Sequence, residues 1–575
     1  MSVFHGAGGN APIVLKFGGS VLRDRGSLGP VVHEIHRWRR AGHPVIAVVS
    51  AFHGATDALL QAARASRPTA RAESVAAVLA TGESESAAWL GAALDRAGVP
   101  ARVLSPEALD LCAEGDALDA SPVRFDPSRL LAAFARDEVA VVPGFAARDA
   151  AGATCVLGRG GSDLTALFLA SGLAGARCHL VKDVDGLYES DPARTGPPPR
   201  RFARATWDEV LRLDGTIVQH KAVRFARSSG VEFAVGRLGG CTPTVVGSGP
   251  SRLHVPRSAP RALRVALAGC GTVGGGVWKA LSALPGEVEV VAVAQRTRAR
   301  ALAAGVPEAL LVESPSALFV RNPDVVVECI GGTGVAGDLV MEALQRGVDV
   351  VTANKALVAE RGGPLREAAL RSGARLLASA SVGGSTPVLE RLAWLPEGSV
   401  AAVRGVLNGT CNFVLDAVQM GAGLAEALDA ARAAGFAEAD VGRDLSGVDA
   451  ADKLRVIAQS LGVALAEGDV GLEALDAPGL ERNRGEVFPL RQVACLRLDG
   501  GRPRAYVGLE PVSPRDPLAS AIAEENVVEV TLRDGSVRLA RGRGAGSGPT
   551  AESVVGDVLE LARARAPARA APQST

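Results

Sequence analysis

Short apolar runs alternate with alanine-rich stretches through the first part of the chain. Strands are predicted at Ile13–Phe17, Val45–Val49, Val139–Val142 and His179–Val181. Each run ends at glycine, serine, proline or a Lys-Asp pair, and helical stretches lie between them. This alternation predicts a parallel sheet that is covered by helices on both faces.

A second alternation follows in the other half of the chain. A buried strand is predicted over Arg264–Ala268, a helix over Gly275–Leu284 and a second strand over Val288–Ala294. Farther along, a long helical section is predicted from Ala425 to Leu461, and short strands with turn signals from Val487 to Arg541. We therefore expect an α/β protein whose last part is α+β.

The patterns also predict the domain boundaries. The stretch SGPSRLHVPRSAPRA, from Ser248 to Ala262, is rich in Pro, Ser and Arg and has little periodicity, which is typical of a linker. We predict a first domain over residues 1–250, a linker over 251–262 and a dinucleotide-binding domain over 263–390. An α+β domain is predicted over 391–548, followed by a helix near 549–566 that completes the dinucleotide-binding domain. Residues 567–575 are predicted to form a disordered tail.

Composition excludes several classes of function. Sixty-two acidic residues balance 62 basic ones, so the charge favours neither a nucleic-acid partner nor a membrane surface. The eight cysteines are scattered without a C-x-x-C pair, which indicates reduced thiols and no structural zinc. The chain starts without a signal-peptide pattern and has no apolar run of about 18 residues. We expect a cytoplasmic protein.

Lysine is rare in this chain, and its positions are informative. Lysines 16, 182, 221, 279, 355 and 453 are the six among 62 basic residues, and all others are arginine. Only an ammonium offers a compact charge whose pKa burial can move toward neutrality. Lys16, Lys182, Lys355 and Lys453 fall inside glycine-dense or acidic motifs, so we expect chemistry there.

A glycine-rich turn joins the first strand of the second half to its helix. Gly269 is expected to make the turn, Gly271 to let backbone amides reach a pyrophosphate, and Gly274 to let helix and strand pack closely. Thr272 and Val273, between the second and third glycines, are expected to bind the cofactor too, and the N-terminus of the following helix would face the phosphates. The strand-turn-helix context predicts a dinucleotide site.

The end of the second strand of this half indicates which dinucleotide is bound. An acid there would hold the ribose 2′-hydroxyl of NAD, but the strand ends in Gln295 and Arg296, with Arg298 close behind. A guanidinium suits a 2′-phosphate. The sequence therefore favours NADP(H) over NAD(H).

Two further polar groups are expected at the same edge of this sheet. Asn354 and Lys355 follow the apolar run Val350–Val351 and the pair Thr352–Ala353. Open α/β sheets bind ligands at the carboxyl ends of their strands. We therefore expect Asn354 and Lys355 near the dinucleotide.

The densest polar cluster of the chain lies between residues 435 and 458. Asp449 and Lys453 are four apart on a predicted helix and so share a face. Glu438 and Asp444 precede them in a loop whose glycines would let it fold over a ligand. The alternative is an exposed helix with one ordinary ion pair, which poorly explains a lone lysine in an otherwise apolar segment.

The second half of the chain resembles homoserine dehydrogenase. The resemblance covers residues 263–566 and rests on the glycine turn and on five further motifs: VVTANKAL at Val350, SVGGSTPV at Ser381, GVLNGTCNFVL at Gly405, the block from Glu438 to Lys453, and GAGSGPTAESVVGDVLE at Gly544. It implies a Rossmann domain followed by an α+β domain for substrate binding and dimerisation.

The resemblance also implies residue roles. Lys453 would donate a proton to the aldehyde oxygen, and Asp449 would orient Lys453. Glu438 and Asp444 would hold the amino group of the substrate, and Lys355 would lie near the nicotinamide and the substrate carboxylate. Hydride delivery to a carbonyl needs a nearby acid, and a lysine desolvated by burial can act as one near neutral pH.

One departure from the family concerns a monovalent cation. The family usually carries a glutamate, associated with a cation site, two residues before the stretch that begins at Ser381. Here that position is Ser379. We therefore expect no protein-bound metal ion, and the monovalent-cation site is doubtful.

Three glycine-rich or acidic motifs mark the first half. Lys16 is followed by Gly18, Gly19 and Ser20, a loop suited to phosphate without the Walker spacing. A second motif, GRGGSD from Gly158 to Asp163, precedes a helix whose N-terminus would face an anion. A third motif, KDVDGLY from Lys182 to Tyr188, follows a strand.

Together with SAFHGATDALL at Ser50 and TGESES at Thr81, these motifs resemble aspartate kinase, an amino-acid-kinase fold, over residues 11–248. The resemblance implies that Lys16 and Asp163 stabilise the transferring phosphoryl group and that ATP is used with Mg. It implies that the backbone contacts come from Gly18, Gly19, Gly160 and Gly161. Aspartate would be bound by Glu83, Arg159 and Ser162. Further nucleotide contacts would come from Ser20, Lys182, Asp183 and Tyr188.

The first half departs from the family at three positions. The family's Thr-Ser after the glycines is Ser20-Val21, the hydroxyl before Asp183 is Lys182, and a lysine in the family's G-A-K-V-L-H stretch is Ile217. The lost amine could be replaced by Lys182 or Lys221, or the kinase could be weakened.

The leading hypothesis is a fused enzyme for two steps of the aspartate pathway. It would phosphorylate aspartate with ATP and interconvert aspartate semialdehyde and homoserine with NADP(H). The alternative keeps the dehydrogenase and makes residues 1–250 a non-catalytic ligand-binding module. We expect a homodimer or homotetramer, and no segment long enough for the ACT-type regulatory modules common in both families.

Overall fold

The fold is described from a computed structural model that covers residues 11–67, 69–192, 198–255, 261–434, 436–437, 440–483, 488–498, 500 and 502–565. The chain forms two compact units: the first comprises residues 11–95 and 100–255, and the second comprises residues 261–565 together with residues 96–99. In these ranges every helix is too short or too polar to span a membrane.

The first unit contains strands β1 (Ile13–Phe17), β2 (Val45–Val49), β3 (Ala101–Val103), β4 (Cys112–Glu114), β5 (Ser121–Arg124), β6 (Val139–Pro143), β7 (Ala146–Arg148), β8 (Thr154–Val156), β9 (Arg177–Lys182), β10 (Phe202–Thr206), β11 (Phe233–Arg237), β12 (Thr244–Gly247) and β13 (Arg252–Leu253). Its helices are α1 (Leu28–Arg40), α2 (Ala55–Ser66), α3 (Ala72–Arg96), α4 (Ser128–Ala135), α5 (Gly161–Ser171), α6 (Trp207–Arg212) and α7 (His220–Ser229).

Within the described residues, nine of these strands form one sheet in the order β13-β10-β12-β11-β9-β1-β2-β6-β3. Strands β1, β2 and β6 are buried at every residue, as expected for apolar runs covered on both faces. The predicted all-parallel arrangement is wrong at one side, where β11 pairs antiparallel with β12 and β10 with β13. Strands β11 and β12 can run antiparallel because a short connection, not a crossover helix, joins them.

Two further features of the first unit were not predicted. Strands β5, β4, β7 and β8 form a second, smaller sheet in that order. Residues 252 and 253, inside the predicted linker, form β13, because β10 offers an edge with which they pair. The predicted linker is therefore wrong at these two residues, and residues 256–260 of it lie outside the described ranges.

The second unit begins with a parallel sheet. Its elements are β14 (Leu263–Ala268), α8 (Thr272–Ser282), β15 (Val288–Ala294), α9 (Arg298–Ala303), β16 (Leu311–Val312), β17 (Val325–Glu328), α10 (Val335–Gln345), β18 (Asp349–Thr352), α11 (Lys355–Ser372) and β19 (Leu376–Leu377). The strand order β16-β15-β14-β17-β18-β19, with parallel pairs throughout, is that of a Rossmann sheet. The predicted fold class is confirmed.

The remaining elements form an α+β layer. They are α12 (Ala380–Gly383), α13 (Val388–Ala393), β20 (Val400–Val406), α14 (Gly409–Gln419), α15 (Leu424–Ala433), α16 (Gly442–Leu445), α17 (Val448–Ser460), β21 (Val470–Leu472), α18 (Ala477–Arg482), β22 (Leu490–Arg497), β23 (Arg504–Pro511), β24 (Glu525–Leu532), β25 (Val537–Arg543) and α19 (Ser547–Arg565). The sheet order is β21-β23-β22-β20-β24-β25.

The predicted single helical section from residue 425 to 461 is wrong. It is divided among α15, α16 and α17, and Gly447 immediately before α17 has φ +81°. An ordinary residue rarely adopts this left-handed conformation, so the glycine ends one helix and starts the next. The break turns α16 back and brings Asp444 toward α17.

Helix α19 packs on the Rossmann sheet although it comes last in the chain. Its buried residues Val554, Val555 and Val558 share one apolar core with Val265 and Leu267 of β14. Burying such side chains stabilises a fold by about 1.5–3 kcal/mol each. The dinucleotide-binding core therefore includes a segment far away in sequence.

Candidate active sites

The turn between β14 and α8 requires glycine at two positions. Gly269 has φ +93°, and a Cβ atom there would lie 2.5 Å from the carbonyl oxygen of Cys329. A Cβ atom on Gly274 would lie 2.0 Å from the carbonyl oxygen of Gly269. A Cβ atom on Gly271 would meet nothing within 4 Å. The outer glycines close the turn, and the middle one leaves its backbone open to a ligand.

The residues around this turn differ in exposure. Gln295, after β15, accepts a hydrogen bond through Oε1 from the backbone N of Cys270 at 2.6 Å, which fixes the turn. Thr272 and Arg296 are exposed, and Val273 is half-buried. The structure thus leaves a guanidinium at the carboxyl end of β15.

Buried polar groups connect the ends of β17 and β18. Glu328, fully buried, accepts a hydrogen bond from Thr352 Oγ1 at 2.5 Å, and Thr352 Oγ1 accepts one from the backbone N of Asn354 at 3.0 Å. Asn354 caps α11, since its Oδ1 accepts from the backbone N of Leu357 at 3.2 Å, and its Nδ2 donates to the Gly332 carbonyl at 2.6 Å. These contacts fix where α11 begins, and sequence reasoning had not singled out Glu328.

Lys355, the first residue of α11, lies against the acidic cluster of α17. Its Nζ donates to Asp449 Oδ1, and Lys453 Nζ lies 3.0 Å from Asp449 Oδ2. Asp449 and Lys453 are buried. The buried carboxylate therefore lies between two ammonium groups from two different helices.

Asn408 holds two carboxylates of this site. Its Nδ2 donates to Asp444 Oδ1 at 2.7 Å and to Asp449 Oδ2 at 3.0 Å, and its Oδ1 caps α14 at the backbone N of Cys411 at 2.8 Å. The preceding carbonyl, of Leu407, accepts a hydrogen bond from Lys453 Nζ. Sequence reasoning quoted the surrounding motif without assigning Asn408, although Asn before Gly at a strand-helix junction is an N-cap signal.

Burial changes the acidity of both lysines. Desolvation lowers the pKa of Lys453 to about 8, against the opposing charge of Asp444. Desolvation, followed by the neighbouring charge of Lys453, lowers the pKa of Lys355 to about 8. Both amines can therefore give up a proton near neutral pH.

These side chains line one cavity of about 780 Å³. Asn354, Asp444 and Asn408 contribute to its wall together with Lys355, Asp449 and Lys453. The volume suits a nicotinamide with a small substrate. Glu438, predicted to bind substrate, lies outside the described residues. The remaining lining residues are Gly331, Ala353, Ala356, Ala380, Ser381, Gly383, Gly409, Thr410, Phe436, Ala437, Asp440, Arg443, Glu524, Gly544, Ala545, Gly546 and Thr550.

Ser379 is bound within the protein. Its Oγ donates to Asp557 Oδ1 at 2.7 Å, and its backbone N donates to Asp557 Oδ2 at 3.2 Å. This side chain provides no carboxylate for a cation. Among the residues that the structure covers, no group of three or more His, Cys, Asp and Glu side chains could hold a metal ion.

The first unit has its own buried cluster at the carboxyl ends of β1 and β9. Lys16 Nζ lies 2.7 Å from Asp163 Oδ1, and Lys182 Nζ donates to Asp163 Oδ1 at 3.0 Å and to Oδ2 at 2.8 Å. Asp163 lies in the first turn of α5. The predicted residues Lys16, Asp163 and Lys182 are thus in contact.

The three charges act on one another. Desolvation raises the pKa of Asp163, but Lys16 and Lys182 outweigh it and hold the pKa at about 2. Desolvation lowers the pKa of Lys16 to about 8 against the attraction of Asp163. The carboxylate stays ionised, and the cluster carries more positive than negative charge.

Glycine backbone surrounds this cluster. A Cβ atom on Gly18 would lie 3.3 Å from Lys16 Nζ, and one on Gly19 would lie 3.4 Å from the carbonyl oxygen of Ala51. Gly160, with φ +79°, caps α5, and Gly161 is the first residue of the helix. Backbone amides can therefore approach an anion here.

The predicted aspartate-binding residues differ in exposure. Glu83 is buried, and its Oε2 has no hydrogen-bond partner among the described residues. Desolvation raises the pKa of Glu83 to about 7. Ser162 is buried in the first turn of α5, whereas Arg159 is exposed. A buried carboxylate with an unsatisfied oxygen is a candidate partner for a ligand's ammonium group.

The third motif of the first half borders a cavity of about 350 Å³. Tyr188 and Ile217 lie in its wall, and Tyr188 Oη donates to Asp185 Oδ1 at 2.8 Å. Asp183 is exposed, and Ser20 is half-buried. The cavity is lined by Val184, Gly186, Leu187, Tyr188, Glu189, Ser190, Asp191, Pro192, Val210, Arg212, Leu213, Asp214, Gly215, Thr216, Ile217 and Val218.

The Rossmann sheet, the glycine turn and the lysine-lined cavity define a dinucleotide-binding oxidoreductase fused to a kinase-fold unit. The family model described as the amino acid kinase family matches residues 11–236. The models for the NAD-binding domain of homoserine dehydrogenase and for homoserine dehydrogenase match residues 269–379 and 387–559.

Two relatives by sequence agree with these matches. A homoserine dehydrogenase from Synechocystis is 34% identical over 319 residues, 52% of this chain and 73% of that protein. One from Corynebacterium glutamicum is 34% identical over 326 residues, 52% and 72% respectively. A homoserine dehydrogenase structure from Thiobacillus denitrificans is 31% identical with a TM-score of 0.49, over 53% of this chain and 74% of that one.

The chain therefore belongs to the homoserine dehydrogenase family, and an amino acid kinase domain precedes the dehydrogenase part. Both resemblances noted in the sequence agree with these matches, and homoserine dehydrogenase is the activity they support.

Proposed function

We propose that this chain catalyses two reactions of amino-acid biosynthesis. The second unit reduces L-aspartate 4-semialdehyde to L-homoserine with NADPH, and the first phosphorylates L-aspartate with ATP. The observation that carries the proposed reduction is the contact of Lys355, Asp449 and Lys453 in one cavity at the edge of the Rossmann sheet.

In the dehydrogenase site, Lys453 acts as the acid. Bound NADPH supplies the hydride, and Lys453 Nζ gives a proton to the aldehyde oxygen as the carbonyl is reduced. Asp449, 3.0 Å from that Nζ, holds the amine in place. A pKa lowered to about 8 makes Lys453 a better proton donor than an exposed lysine at neutral pH.

The charges around Lys453 suit an amino-acid substrate. Asp444, with Glu438, would bind the substrate's ammonium group, and Lys355 would face its carboxylate. Asn408 keeps Asp444 and Asp449 in a fixed relation by donating to both. No step is assigned to a monovalent cation, since Ser379 is bonded to Asp557.

We further propose NADP(H) as the preferred dinucleotide, with backbone contacts from the glycine turn. Exposed Arg296 at the end of β15 would pair with the 2′-phosphate. Arg296→Ala should weaken NADP binding about tenfold and leave NAD binding nearly unchanged, as measured by fluorescence titration of both cofactors. Equal weakening of both would mean that Arg296 does not select between them.

In the kinase site, aspartate would be held by Glu83 and Arg159, and ATP with Mg by the glycine loops. The aspartate side-chain carboxylate attacks the γ-phosphorus of ATP, and ADP leaves. Lys16, kept beside Asp163 at 2.7 Å, neutralises charge on the phosphoryl oxygens. The unsatisfied Oε2 of Glu83 supports recognition of an amino acid.

A second candidate for the first unit is a non-catalytic ligand-binding module. The observation in its favour is Ile217, an apolar side chain in the wall of the 350 Å³ cavity. The purified protein should form aspartyl hydroxamate from aspartate, ATP and hydroxylamine, and should reduce NADP with homoserine. Homoserine-dependent reduction without hydroxamate formation would favour the module.

A further inference from the structure

Lys182 lies beside Lys16 in a way that the strand register explains. Strands β1 and β9 are parallel neighbours, with Phe17 opposite Val181. Gly18, the first residue after β1, therefore lies beside Lys182, the last residue of β9. A Cβ atom on Gly18 would lie 3.3 Å from Lys16 Nζ and 3.9 Å from Lys182 Cδ, so the first glycine of the loop after β1 lies close to both lysine side chains.

Asp163 carries too little negative charge for both amines. Its single carboxylate is shared by Lys16 at 2.7 Å and Lys182 at 2.8 Å, with side-chain exposures of only 6% and 11%. Two ammonium groups and one carboxylate have a formal sum of one positive charge. A buried excess of positive charge is costly unless an anion neutralises it. The cluster is therefore built to receive an anion.

Lys221 is the other lysine that could replace the missing amine at position 217. All three N–H donors of its ammonium group are hydrogen-bonded within the protein. Its Nζ donates to Asp119 Oδ1 at 2.6 Å, to the Ala120 carbonyl at 2.9 Å and to the Leu157 carbonyl at 2.9 Å. An ammonium has three N–H donors, and these three acceptors occupy them. Lys221 thus ties two loops together and has no donor left for a ligand.

The cavity of about 350 Å³, whose wall includes Val184 two residues after Lys182, has one basic side chain among its lining residues. Ile217 presents an apolar side chain in its wall. Arg212 also lines the cavity, but its side chain is 71% exposed and pairs with Glu209 at 3.0 Å. Position 217, where the family resemblance expects an amine, therefore provides none, and Lys182, with its side chain 11% exposed, is the amine that lies beside Lys16 at this edge.

We propose that Lys182 supplies the second ammonium group that contacts the phosphoryl group during transfer, in place of an amine at position 217. The proposal rests on the proposed kinase activity and names a further catalytic residue for it. As the aspartate carboxylate oxygen bonds to the γ-phosphorus, the bond from that phosphorus to the bridging oxygen breaks, and ADP keeps its electron pair. Lys16 and Lys182 would contact the phosphoryl oxygens from two sides, with Asp163 between them.

The test compares three variants of the full chain in the aspartyl hydroxamate assay. Lys182→Met should lower kcat about 10²-fold, as loss of a preorganised donor does. Lys221→Met, the matched control, should lower the melting temperature but keep kcat within about threefold where folded, since it is not in contact with the anion site. Lys182→Met with Ile217→Lys should regain about tenfold or more of the lost kcat, because a new amine enters the cavity wall.

Each result bears on the proposal. Unchanged kcat in Lys182→Met, or a loss in Lys221→Met as large as in Lys182→Met, would overturn it. A folded double variant without any recovery would overturn the replacement of position 217. Melting curves identify folded variants, and if Lys182→Met does not fold, Lys182→Gln, which keeps a donor for Asp163, carries the same expectations.

Calorimetric titration with MgATP separates this proposal from the proposed activity. If the unaltered chain forms no hydroxamate, aspartate phosphorylation is wrong, and MgATP affinity decides the role of Lys182. Binding about tenfold weaker in Lys182→Met than in Lys221→Met would support a phosphate contact. Equal binding in both, or no binding by the unaltered chain, would overturn it.

Discussion

Two clusters in this chain have the same three groups and different surroundings. The kinase cluster is Asp163 between Lys16 and Lys182, and the dehydrogenase cluster is Asp449 between Lys355 and Lys453. In the first, two strand ends supply the lysines and a helix start supplies the acid. In the second, two helices supply all three residues.

The surroundings give the clusters different net charges. Asn408 binds Asp444 to the dehydrogenase cluster, and with this second carboxylate the formal charge is zero. The kinase cluster has glycine backbone instead and keeps one positive charge. A cluster without net charge that contains an acidic amine suits proton transfer to a zwitterionic substrate. A positively charged cluster suits stabilisation of a negatively charged phosphoryl group. Under the proposed functions, the same residue types serve two kinds of catalysis.

The largest expected effect follows from replacing the proton donor. Lys453→Met should lower kcat for homoserine oxidation by about 10²–10⁴-fold, the usual contribution of an acid or base. NADP affinity and aspartate phosphorylation should stay close to those of the unaltered chain. Steady-state kinetics of both reactions measures this, with Lys279→Met on the exposed end of α8 as the control. More than half of the original turnover in Lys453→Met would remove Lys453 from the mechanism.

A slightly smaller loss of kcat is expected when the carboxylate of the kinase cluster is replaced. Asp163→Asn should lower kcat for aspartate phosphorylation about 10²–10³-fold, because Lys16 and Lys182 would lose the carboxylate that holds them. The melting temperature should also fall, since two buried amines would repel each other without it. Asp208→Asn, an exposed partner of Arg227, is the control. A hydroxamate assay showing equal kcat in the two variants would contradict the assignment.

The pH dependence should distinguish proton transfer from charge neutralisation. In the proposed mechanism, Lys453 is protonated for aldehyde reduction and neutral for homoserine oxidation. With a pKa of about 8, reduction should fall about tenfold per pH unit above that value, and oxidation should rise toward it. Phosphorylation should rise up to about pH 7, as Glu83 with its pKa of about 7 ionises, and should fall above about pH 8, as Lys16 with its pKa of about 8 loses charge. Measuring kcat from about pH 6 to about pH 10 tests this, and parallel profiles for reduction and oxidation would exclude the proposed role of Lys453.

The smallest expected effect concerns Asn408. Asn408→Ala should raise the KM for homoserine about threefold to tenfold, because Asp444 and Asp449 lose a shared donor. It should also cost about 1 kcal/mol of stability through the lost cap of α14. Asp476→Ala removes the cap of α18, at Gly479 N, and should cost similar stability with unchanged KM. Denaturant unfolding measures the loss of stability, and steady-state kinetics measures the change in KM. An unchanged KM in Asn408→Ala would show that Asn408 only caps α14.

Local patterns predicted the strands and the glycine turn well. The strand predictions at Ile13–Phe17 and Val45–Val49 match the structure, because fully buried parallel strands read as continuous apolar runs. The shared face of Asp449 and Lys453 follows from helical spacing, and the structure places them on α17 in contact. Such features depend on neighbours in sequence alone.

Contacts between distant segments could not be predicted in this way. Lys355 reaches Asp449 across 94 positions, and Asn408 reaches it across 41. The break of the long helical section at Gly447 depends on a left-handed conformation that periodicity does not reveal. Family resemblance supplied several of these residues, but the amide that links the two carboxylates became visible only in the fold.

The position of α19 has a consequence for how the protein is made. Its apolar side chains complete the core around β14, yet a ribosome produces α19 only after the whole α+β layer. At a synthesis rate of about 5–20 residues per second, this delay is on the order of 10–40 s. During that time the nascent Rossmann sheet exposes the apolar surface that α19 later covers, so it is the part of the second unit on which a chaperone would act during translation.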